Sequence, residues 1–334
     1  MIKTVIVGAG GIALKHAEAL NRLPNVKVAG VMDLKYENAR RIADICNSRV
    51  IENLSDVLEE IQMIHLLTPP SKRMDYAEIA IKARKHILCE KPISANMSDA
   101  QKLMKLAKEN NVLFMVAFNM RFRSGYIRLC EKVLSGMLGN IISIWIHRIG
   151  PGPGFNKSLS SSWRTDPEFL CGMTIESLSH DIDMIRGLGV EITTVSARVK
   201  GSLEEMPLFD NNAQVVLGLS CGASAIINTS WSSYLLMSSR GVNGTKGTVV
   251  VNGKDFFDFS EHIEKTEKMS KESITFINDQ FDSESFYEEN KHFTECIESG
   301  TKPFIGAEHG LEALKVSLAI LKSSKEQRLI KLRN

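Results

Sequence analysis

The chain has 334 residues, of which 43% are hydrophobic and 24% charged, and its formal net charge is +2 at pH 7. This length fits two domains with separate cores, and a charge near zero gives no electrostatic reason to expect nucleic acid or an anionic membrane as a partner. No apolar run approaches the about 18 residues that a membrane-spanning helix requires.

The six cysteines are scattered, and no two of them have C-x-x-C spacing. The sequence therefore predicts neither a zinc site nor a redox dithiol, and we expect no metal. The apolar run within residues 1–8 is too short for a signal peptide and leads directly into a glycine-rich turn. Free thiols without a signal peptide are typical of a cytoplasmic protein, which is what we expect.

The first 120 residues alternate between strand-like and helix-like patterns with short connections. The predicted strands are Lys3–Val7, Val26–Met32, Val50–Ile51, Met63–Leu67, His86–Cys89 and Leu113–Ala117. The predicted helices are Ile12–Arg22, Tyr36–Cys46, Ser55–Glu60, Met74–Ala83 and Ala100–Asn110. This alternation predicts a doubly wound parallel sheet covered by helices, and the near-continuous apolar strands indicate that both faces are buried.

After Arg121 the pattern changes to that of an α+β domain with a mostly antiparallel sheet. The predicted strands are Ile141–Arg148, Thr193–Lys200, Asn212–Leu219, Ala223–Ser230 and Thr248–Val251, and the predicted helices are Gly125–Ser135, Met173–Leu188, Phe286–Ser299 and Gly310–Ser324. Residues 150–162 are predicted to form a loop, and the polar segment 261–282 a surface excursion. We therefore expect two domains, 1–120 and 121–334.

A glycine-rich turn, Gly8-Ala9-Gly10-Gly11-Ile12-Ala13, follows the first strand and opens the first helix. This is G-x-G-x-x-A, a variant of the Rossmann fingerprint for dinucleotide binding. The first glycine permits the tight turn, the second lets the pyrophosphate approach the backbone, and the alanine lets the helix pack close to the sheet. The helix N-terminus offers N–H groups to the phosphates, so we expect Gly8, Gly10, Gly11 and Ile12 to contact the cofactor. Taken alone, this motif is also compatible with an ordinary glycine-rich turn that binds no cofactor.

Asp33 ends the second strand, some 20 residues beyond the glycines. A carboxylate there can accept hydrogen bonds from the ribose hydroxyls of NAD and would repel the 2′-phosphate of NADP. The sequence therefore favours NAD, although Lys35 lies close enough to accommodate a phosphate and NADP is not excluded. The alternative is that Asp33 only caps a turn.

Two further motifs follow the fourth and fifth strands, at the sheet edge where ligands of such folds bind. Thr68-Pro69-Pro70 is predicted to border the nicotinamide side, although a rigid turn explains it equally well. In Glu90-Lys91-Pro92 a lysine at this edge can stabilise negative charge on a substrate oxygen, and the proline makes a cis peptide bond accessible. A surface lysine is the alternative.

The predicted helix Met173–Leu188 carries Glu176, His180 and Asp183 on one face, since residues i, i+4 and i+7 align. A glutamate one turn away can orient the histidine, which can then accept a proton from a hydroxyl as hydride leaves the carbon. An isolated histidine on a helix is more often structural, but polar residues paired within an apolar helix favour a site.

Motifs that run in order over nearly the whole chain make it resemble the Gfo/Idh/MocA oxidoreductases, the family of glucose-fructose oxidoreductase and inositol dehydrogenase. They are Gly8–Ala13, Asp33, Thr68-Pro69, Glu90-Lys91-Pro92, Phe118-Asn119-Met120-Arg121-Phe122, Trp163-Arg164, Glu176…His180…Asp183 and the block Phe293…Ile297…Gly300…Pro303.

The resemblance implies an N-terminal Rossmann domain that binds NAD(P) and a C-terminal α+β domain that binds substrate. The open-faced sheet of that second domain would join subunits into a homodimer or homotetramer. The catalytic residues would be Lys91 and His180, with Glu176 as the preceding acid. Glu90 and Asn119 would lie at the cofactor, and Arg121, Trp163, Arg164 and Asp183 at the substrate.

Two departures from the family pattern matter. The acid before the histidine is usually Asp but here is Glu176, so the position of the substrate is in question. The family often shows T-P-N-x-x-H, whereas this chain has Pro70 and Arg73 at the Asn and His positions. Contacts made by that asparagine and histidine are therefore in doubt.

The favoured hypothesis is an NAD(P)-dependent dehydrogenase that acts on a hydroxyl or carbonyl group of a sugar, cyclitol or sugar derivative. The alternatives are a lyase, hydrolase or epimerase that uses bound NAD transiently, and a non-catalytic dinucleotide sensor. Arg121, Arg123, Arg148 and Arg164 can meet an anionic group on the substrate, but arginines also line ordinary surfaces. The sequence leaves the substrate's charge and identity open.

Overall fold

The computed structural model describes residues 1–153, 171–204, 206, 209–277 and 284–332, which form two compact units. The first unit comprises 1–122 and 282–314, and the second comprises 123–281 and 315–334. The sequence predicts one boundary near residue 120, whereas in the structure the later segment 282–314 returns to the first unit. No helix in the described ranges is both long and apolar enough to cross a membrane.

A six-stranded parallel sheet forms the centre of the first unit. Its strands are β1 (Ile2–Val7), β2 (Val26–Met32), β3 (Arg49–Val50), β4 (Met63–Leu66), β5 (His86–Glu90) and β6 (Phe114–Ala117). Their order is β3-β2-β1-β4-β5-β6, so the chain changes direction across the sheet between β1 and β4. In open α/β sheets, ligands bind outside the carboxyl ends of the strands at such a switch point.

Helices cover both faces of this sheet, as the buried strands require. They are α1 (Gly11–Asn21), α2 (Tyr36–Ile45), α3 (Arg73–Lys82) and α4 (Met97–Glu109), with short 3₁₀ helices at Leu54–Glu60, Pro70–Lys72 and Asn119–Phe122. The α1 helix begins at a glycine turn and buries Ala13, His16, Ala17 and Leu20 on one face. The α4 helix begins where the Asn96 side chain accepts the Asp99 N–H at 2.9 Å.

The second unit is built on a nine-stranded mixed sheet. Its helices are α5 (Ser124–Leu134), α6 (Met173–Glu176) and α7 (Leu178–Gly187). Its strands are β7 (Ile141–Pro151), β8 (Ile192–Lys200), β9 (Asn212–Leu219), β10 (Ser224–Ser230), β11 (Ser232–Gly244), β12 (Gly247–Gly253), β13 (Glu261–Thr266) and β14 (Ser273–Phe276), with β15 (Ile330–Lys331). The order is β14-β13-β12-β11-β7-β10-β9-β8-β15, and the neighbouring strands are antiparallel except for β7 and β10. The predicted fold class is thereby confirmed for both parts of the chain.

Two helices complete the structure, α8 (Glu284–Ser299) and α9 (Ala307–Glu326). The α8 helix packs on α1 within the first unit and buries Phe286, Glu289, Asn290 and Phe293. Its buried face is the reason that residues 282–314 group with the Rossmann sheet, even though more than 150 residues of the second unit separate them from it.

Several elements differ from the predictions, among them β15 and the 3₁₀ helices Pro70–Lys72 and Asn119–Phe122, which were not predicted. Ser177 separates α6 from α7, where one continuous helix was expected. The 13-residue β11 was missed, because a shift in register between Ser232 and Met237 breaks the two-residue alternation that identifies strands. The expected surface excursion contains β13 and β14 at one end of the sheet, and the charged residues of β13 are typical of strands in such a position.

Candidate active site

The glycine turn lies where β1 ends and α1 begins. Gly8 has a φ of +95°, and a Cβ there would lie 2.8 Å from the backbone of Leu67 and Thr68, so only glycine fits. A Cβ on Gly10 or Gly11 would meet no atom of the described residues within 4 Å. This open space lies at the first turn of α1, where the Ala13 N–H donates to the Gly10 carbonyl oxygen at 3.2 Å and the N–H groups of Gly11 and Ile12 precede the first acceptor that the helix itself provides. The turn therefore fits a pyrophosphate.

Asp33 is fixed against this turn by two backbone hydrogen bonds. Its Oδ2 accepts the Ala9 N–H at 2.8 Å, and its Oδ1 accepts the Lys35 N–H at 2.9 Å. Arg41 of α2 donates to the Ala9 carbonyl oxygen at 3.2 Å, which places a guanidinium beside the same turn. Arg41 could not be identified from the sequence, because its proximity to the turn depends on how α2 packs. The Asp33 carboxylate, at the position expected to bind the adenosine ribose, thus lies near the Arg41 guanidinium.

Arg73 joins the two loops that follow β4 and β5. Its side chain is 3% exposed, and it donates from Nε to the Thr68 carbonyl at 3.0 Å and from Nη2 to the Lys91 carbonyl at 3.4 Å. At the position where the family often has histidine, this chain therefore has an arginine whose side chain binds two backbone carbonyl oxygens. Pro69 immediately precedes the 3₁₀ helix on the same loop.

Glu90 ends β5 and is 6% exposed. Its Oε2 accepts the Lys91 N–H at 3.0 Å, and its Oε1 lies 3.3 Å from Nε2 of His16. Burial by itself raises the pKa of Glu90, but the interactions with His16 and the charges of Lys91 and Arg73 together lower it. Glu90 is thus held as a carboxylate beside the half-buried Lys91, whose bond to Pro92 is cis.

Glu289 of α8 is a second buried carboxyl of the first unit. It is fully buried, and neither of its oxygens has a hydrogen-bond partner among the described residues. Burial, and to a smaller extent the nearby Glu90, raises the pKa of Glu289 well above 4.5. One of these two neighbouring carboxyls is therefore ionised and the other protonated. No local sequence pattern indicates this pair, because 199 positions separate the two residues.

The protonated state of Glu289 leads us to expect a pH-dependent gain in stability on replacing Glu289 with glutamine. The native state keeps a proton that the unfolded chain loses above about pH 4.5, so this group costs more stability as the pH rises toward its native pKa. Calorimetry should show the melting temperature of Glu289→Gln rising relative to wild type between pH 4.5 and 7.5. Glu288→Gln, at a carboxylate 42% exposed, is the control and should show no such trend. A difference independent of pH would contradict the protonated state.

His180 lies in the first turn of α7, is 5% exposed, and meets the Phe257 ring edge-on with centroids 5.6 Å apart. Glu176 ends α6 and is 8% exposed, and Asp183 is 2% exposed. The break at Ser177 falls between Glu176 and His180, so the two residues do not share one continuous helix as predicted. All three candidate residues nevertheless occupy one short, buried segment of the second unit.

Arg148 of β7 binds the residue next to His180. Its Nη2 donates to Asp181 Oδ2 at 2.5 Å and to Ser177 Oγ at 3.0 Å, and both charged side chains are fully buried. A second buried guanidinium, Arg240, has a pKa lowered to about 9 by burial and by Arg148. Arg148 therefore anchors the segment that carries His180, and it is not exposed to meet an anionic substrate.

The predicted site residues are distributed between the two units. The first unit brings Gly8, Gly10, Gly11, Ile12, Asp33, Thr68, Pro69, Glu90 and Lys91 to the carboxyl ends of β1, β2, β4 and β5, and Asn119 and Arg121 lie in the 3₁₀ helix after β6. The second unit holds Glu176, His180 and Asp183. Trp163 and Arg164 lie outside the described residues, so their assignment to the substrate stays a prediction.

Comparison with protein families assigns both parts of the chain. Residues 2–118 match the model of an oxidoreductase family with an NAD-binding Rossmann fold, and residues 130–332 match the C-terminal alpha/beta domain of the same family. Together these matches include nearly all of the residues that carry the predicted site.

Two inositol dehydrogenases match over nearly the whole of both chains. Myo-inositol 2-dehydrogenase from Thermotoga maritima is 27% identical over 98% of this chain and 97% of its own. Inositol 2-dehydrogenase from Rhizobium meliloti is 25% identical over 97% of both chains. The structure of a levoglucosan dehydrogenase in complex with NADH superposes with a TM-score of 0.88 at 18% identity, over 100% of this chain and 99% of that one.

Proposed function

This chain belongs to the Gfo/Idh/MocA family of oxidoreductases and binds a nicotinamide dinucleotide in its Rossmann domain, and we propose from that premise that it is an NAD-dependent dehydrogenase of a sugar, cyclitol or sugar derivative. The observation that carries the proposal is the glycine turn with the fixed Asp33 carboxylate. The names of the two inositol dehydrogenases and of the levoglucosan dehydrogenase support a polyhydroxylated ring as the substrate.

The first unit would hold the cofactor at its phosphates and ribose. The N–H groups at the start of α1 would bind the pyrophosphate, and Asp33 would accept hydrogen bonds from the adenosine ribose. Thr68, Pro69, Glu90 and Asn119 would border the nicotinamide end. The bound nicotinamide accepts or returns the hydride, and the protein binds and orients it.

The second unit would supply the acid–base chemistry. We assign to His180 the removal of the proton from the substrate hydroxyl as the hydride leaves the same carbon, and the return of that proton in reduction. Lys91 would donate to a substrate oxygen and stabilise the negative charge that develops there. Glu176 would orient the histidine, and Arg121, Trp163, Arg164 and Asp183 would bind the remaining hydroxyls.

The direct test is turnover of the purified protein with NAD and a panel of inositols, aldoses and anhydrosugars, followed at the absorbance of NADH. Net NADH formation with one class of polyol is expected. If instead the cofactor stays bound through purification and product forms without net NADH, the protein is a lyase, hydrolase or epimerase that uses its bound NAD transiently. Failure of all four forms, NAD, NADH, NADP and NADPH, to stabilise the protein would refute the proposal.

Replacing Asp33 with asparagine is expected to shift the cofactor preference. Asparagine keeps the shape but loses the charge that repels a 2′-phosphate, while Arg41 and Lys35 remain to attract one. The ratio of the dissociation constants of NADP and NAD should fall by at least about tenfold, which corresponds to about 1.4 kcal/mol. Titration calorimetry measures both constants. Asp44→Asn, at an exposed carboxylate paired with Arg40, is the control, and an unchanged ratio in Asp33→Asn would argue against the ribose contact.

We also propose that the open face of the second unit's sheet joins copies of this chain. Along β9 and β10 the buried residues alternate with exposed ones, and Val216 and Ile226 are each about half exposed on that face. Exposed apolar side chains on a sheet are typical of a protein interface. A homodimer or homotetramer located in the cytoplasm is the assembly that we expect.

A further inference from the structure

A chain of buried hydrogen bonds crosses the first unit and ends on the Glu90 carboxylate. Thr4 Oγ1 lies 2.9 Å from His65 Nδ1, and His65 Nε2 lies 2.7 Å from Asn290 Oδ1. Asn290 Nδ2 lies 3.2 Å from His16 Nδ1, and His16 Nε2 lies 3.3 Å from Glu90 Oε1. Each of these side chains is at most 6% exposed, so water does not replace these contacts.

The carbonyl oxygen of Phe286 fixes the direction of this chain. Asn290 Nδ2 donates to that carbonyl at 2.8 Å, which determines which end of the amide carries the N–H groups. The same Nδ2 then donates to Nδ1 of His16. Consequently the proton of the His16 ring lies on Nε2, where it is donated to Glu90.

The same amide fixes the other end of the chain. Its Oδ1 accepts from His65 Nε2, so His65 Nδ1 accepts from the hydroxyl of Thr4. Burial, and to a smaller extent His16, lowers the pKa of His65 to about 3, which keeps this ring neutral at physiological pH. One arrangement of protons therefore satisfies every contact, with each donor pointing toward Glu90.

We infer that His16 and Asn290 are positioning residues for Lys91, acting through the Glu90 carboxylate. One oxygen of Glu90 accepts from His16, and the other accepts the backbone N–H of Lys91 at 3.0 Å. The inference rests on the proposed function, in which Lys91 acts on the substrate oxygen. A buried carboxylate that lost its donor would turn away or take up a proton, and either change would break or weaken its hydrogen bond to the Lys91 N–H.

The position of His16 gives this arrangement a second consequence. His16 lies on α1, the helix whose first turn is the glycine-rich phosphate site, and Asn290 lies on α8. The hydrogen bond between His16 and Glu90 thus connects the helix that would hold the cofactor to the strand end that precedes Lys91. Because displacements of about 1 Å can cost two orders of magnitude in rate, this link bears on turnover more than on affinity.

Two amide replacements of His16 test the inference without adding bulk. Glutamine can reach the position of Nε2 and donate to Glu90, whereas asparagine reaches only the position of Nδ1 and can contact Asn290 alone. We expect His16→Asn to lower kcat by at least about tenfold, with the dissociation constant of NADH and the KM of the polyol changed less than about threefold. His16→Gln should restore kcat to within about threefold of wild type. Equal kcat values in the two variants would overturn the inference.

A second measurement does not depend on turnover. Nitrogen-15 NMR of the imidazole side chains in the whole protein reports which ring nitrogen carries the proton. His16 and His65 should both be protonated at Nε2, and the His65 signal should not titrate above pH 5. A proton on Nδ1 of His16 would overturn the inference even if the enzyme is active. A wild type that shows the expected tautomers but converts no polyol would count against the proposed function alone.

Discussion

Replacing His180 with alanine is expected to lower kcat by at least about a hundredfold, the usual scale of the loss of a general acid–base group. The residue lies in the first turn of α7 and is 5% exposed beside Phe257, in a segment held by the buried Arg148. Its removal leaves the Rossmann unit untouched, so the dissociation constant of NADH should stay within about threefold of wild type. Steady-state kinetics with the preferred polyol and titration with NADH measure the two effects separately.

His147→Ala is the matched control for this experiment. His147 lies in the same unit, on β7, where its Nδ1 is 2.9 Å from the Asn228 amide nitrogen, and the alternation of the strand directs it away from the buried Arg148 side. Its loss should leave kcat within about threefold of wild type. Near-normal turnover in His180→Ala would remove the histidine from the proposed role, and parallel losses in both variants would indicate a general disturbance of the second unit.

Replacing Asp181 with alanine is expected to lower the free energy of unfolding of the second unit by about 3–5 kcal/mol, because Arg148 is left as a buried charge without its carboxylate. The two side chains are fully buried and joined at 2.5 Å, and Arg240 adds a second guanidinium nearby. The change should appear in calorimetry as a lower melting temperature for one of two transitions. The segment that carries His180 loses its anchor as well, so kcat should fall.

The double variant Arg148→Met with Asp181→Leu separates charge from packing. It removes both partners, so no uncompensated charge remains, and exchanges of this kind are often neutral or stabilising. It should therefore be more stable than Asp181→Ala alone. A single variant that loses less than about 1 kcal/mol would show that the buried pair contributes little to the stability of this unit.

Local sequence patterns predicted the parts of the protein that depend on neighbouring residues. Strands β1 to β6 follow from apolar runs separated by helical patterns, and the glycine turn with Asp33 follows from the backbone conformations that a pyrophosphate requires. The residues of the turn lie close together in sequence, so a local pattern is enough to identify them. The fold class could be predicted from the sequence for the same reason.

The unpredicted features depend on contacts between distant residues. His65 and Asn290 are separated by 225 positions and His16 and Glu90 by 74, so no periodicity links them. The helical spacing of His16 from Ala13 and Leu20 is consistent with its burial on α1 but gives no indication of its hydrogen bonds. The Arg148–Asp181 ion pair could not be predicted either. Alternation along β7 shows that the Arg148 side chain faces the core, but it does not show which residue that side chain contacts.

The return of α8 to the first unit has a consequence for synthesis of the chain on the ribosome. Residues 1–122 emerge first, but the partner of His16 and His65 is Asn290, which is added 168 residues after Phe122. At typical elongation rates of about 5–20 residues per second, roughly ten seconds or more pass between synthesis of the Rossmann sheet and synthesis of the helix that covers these side chains. During that interval the nascent chain exposes α1 and its histidines, so chaperone binding to the N-terminal segment should persist until α8 has emerged.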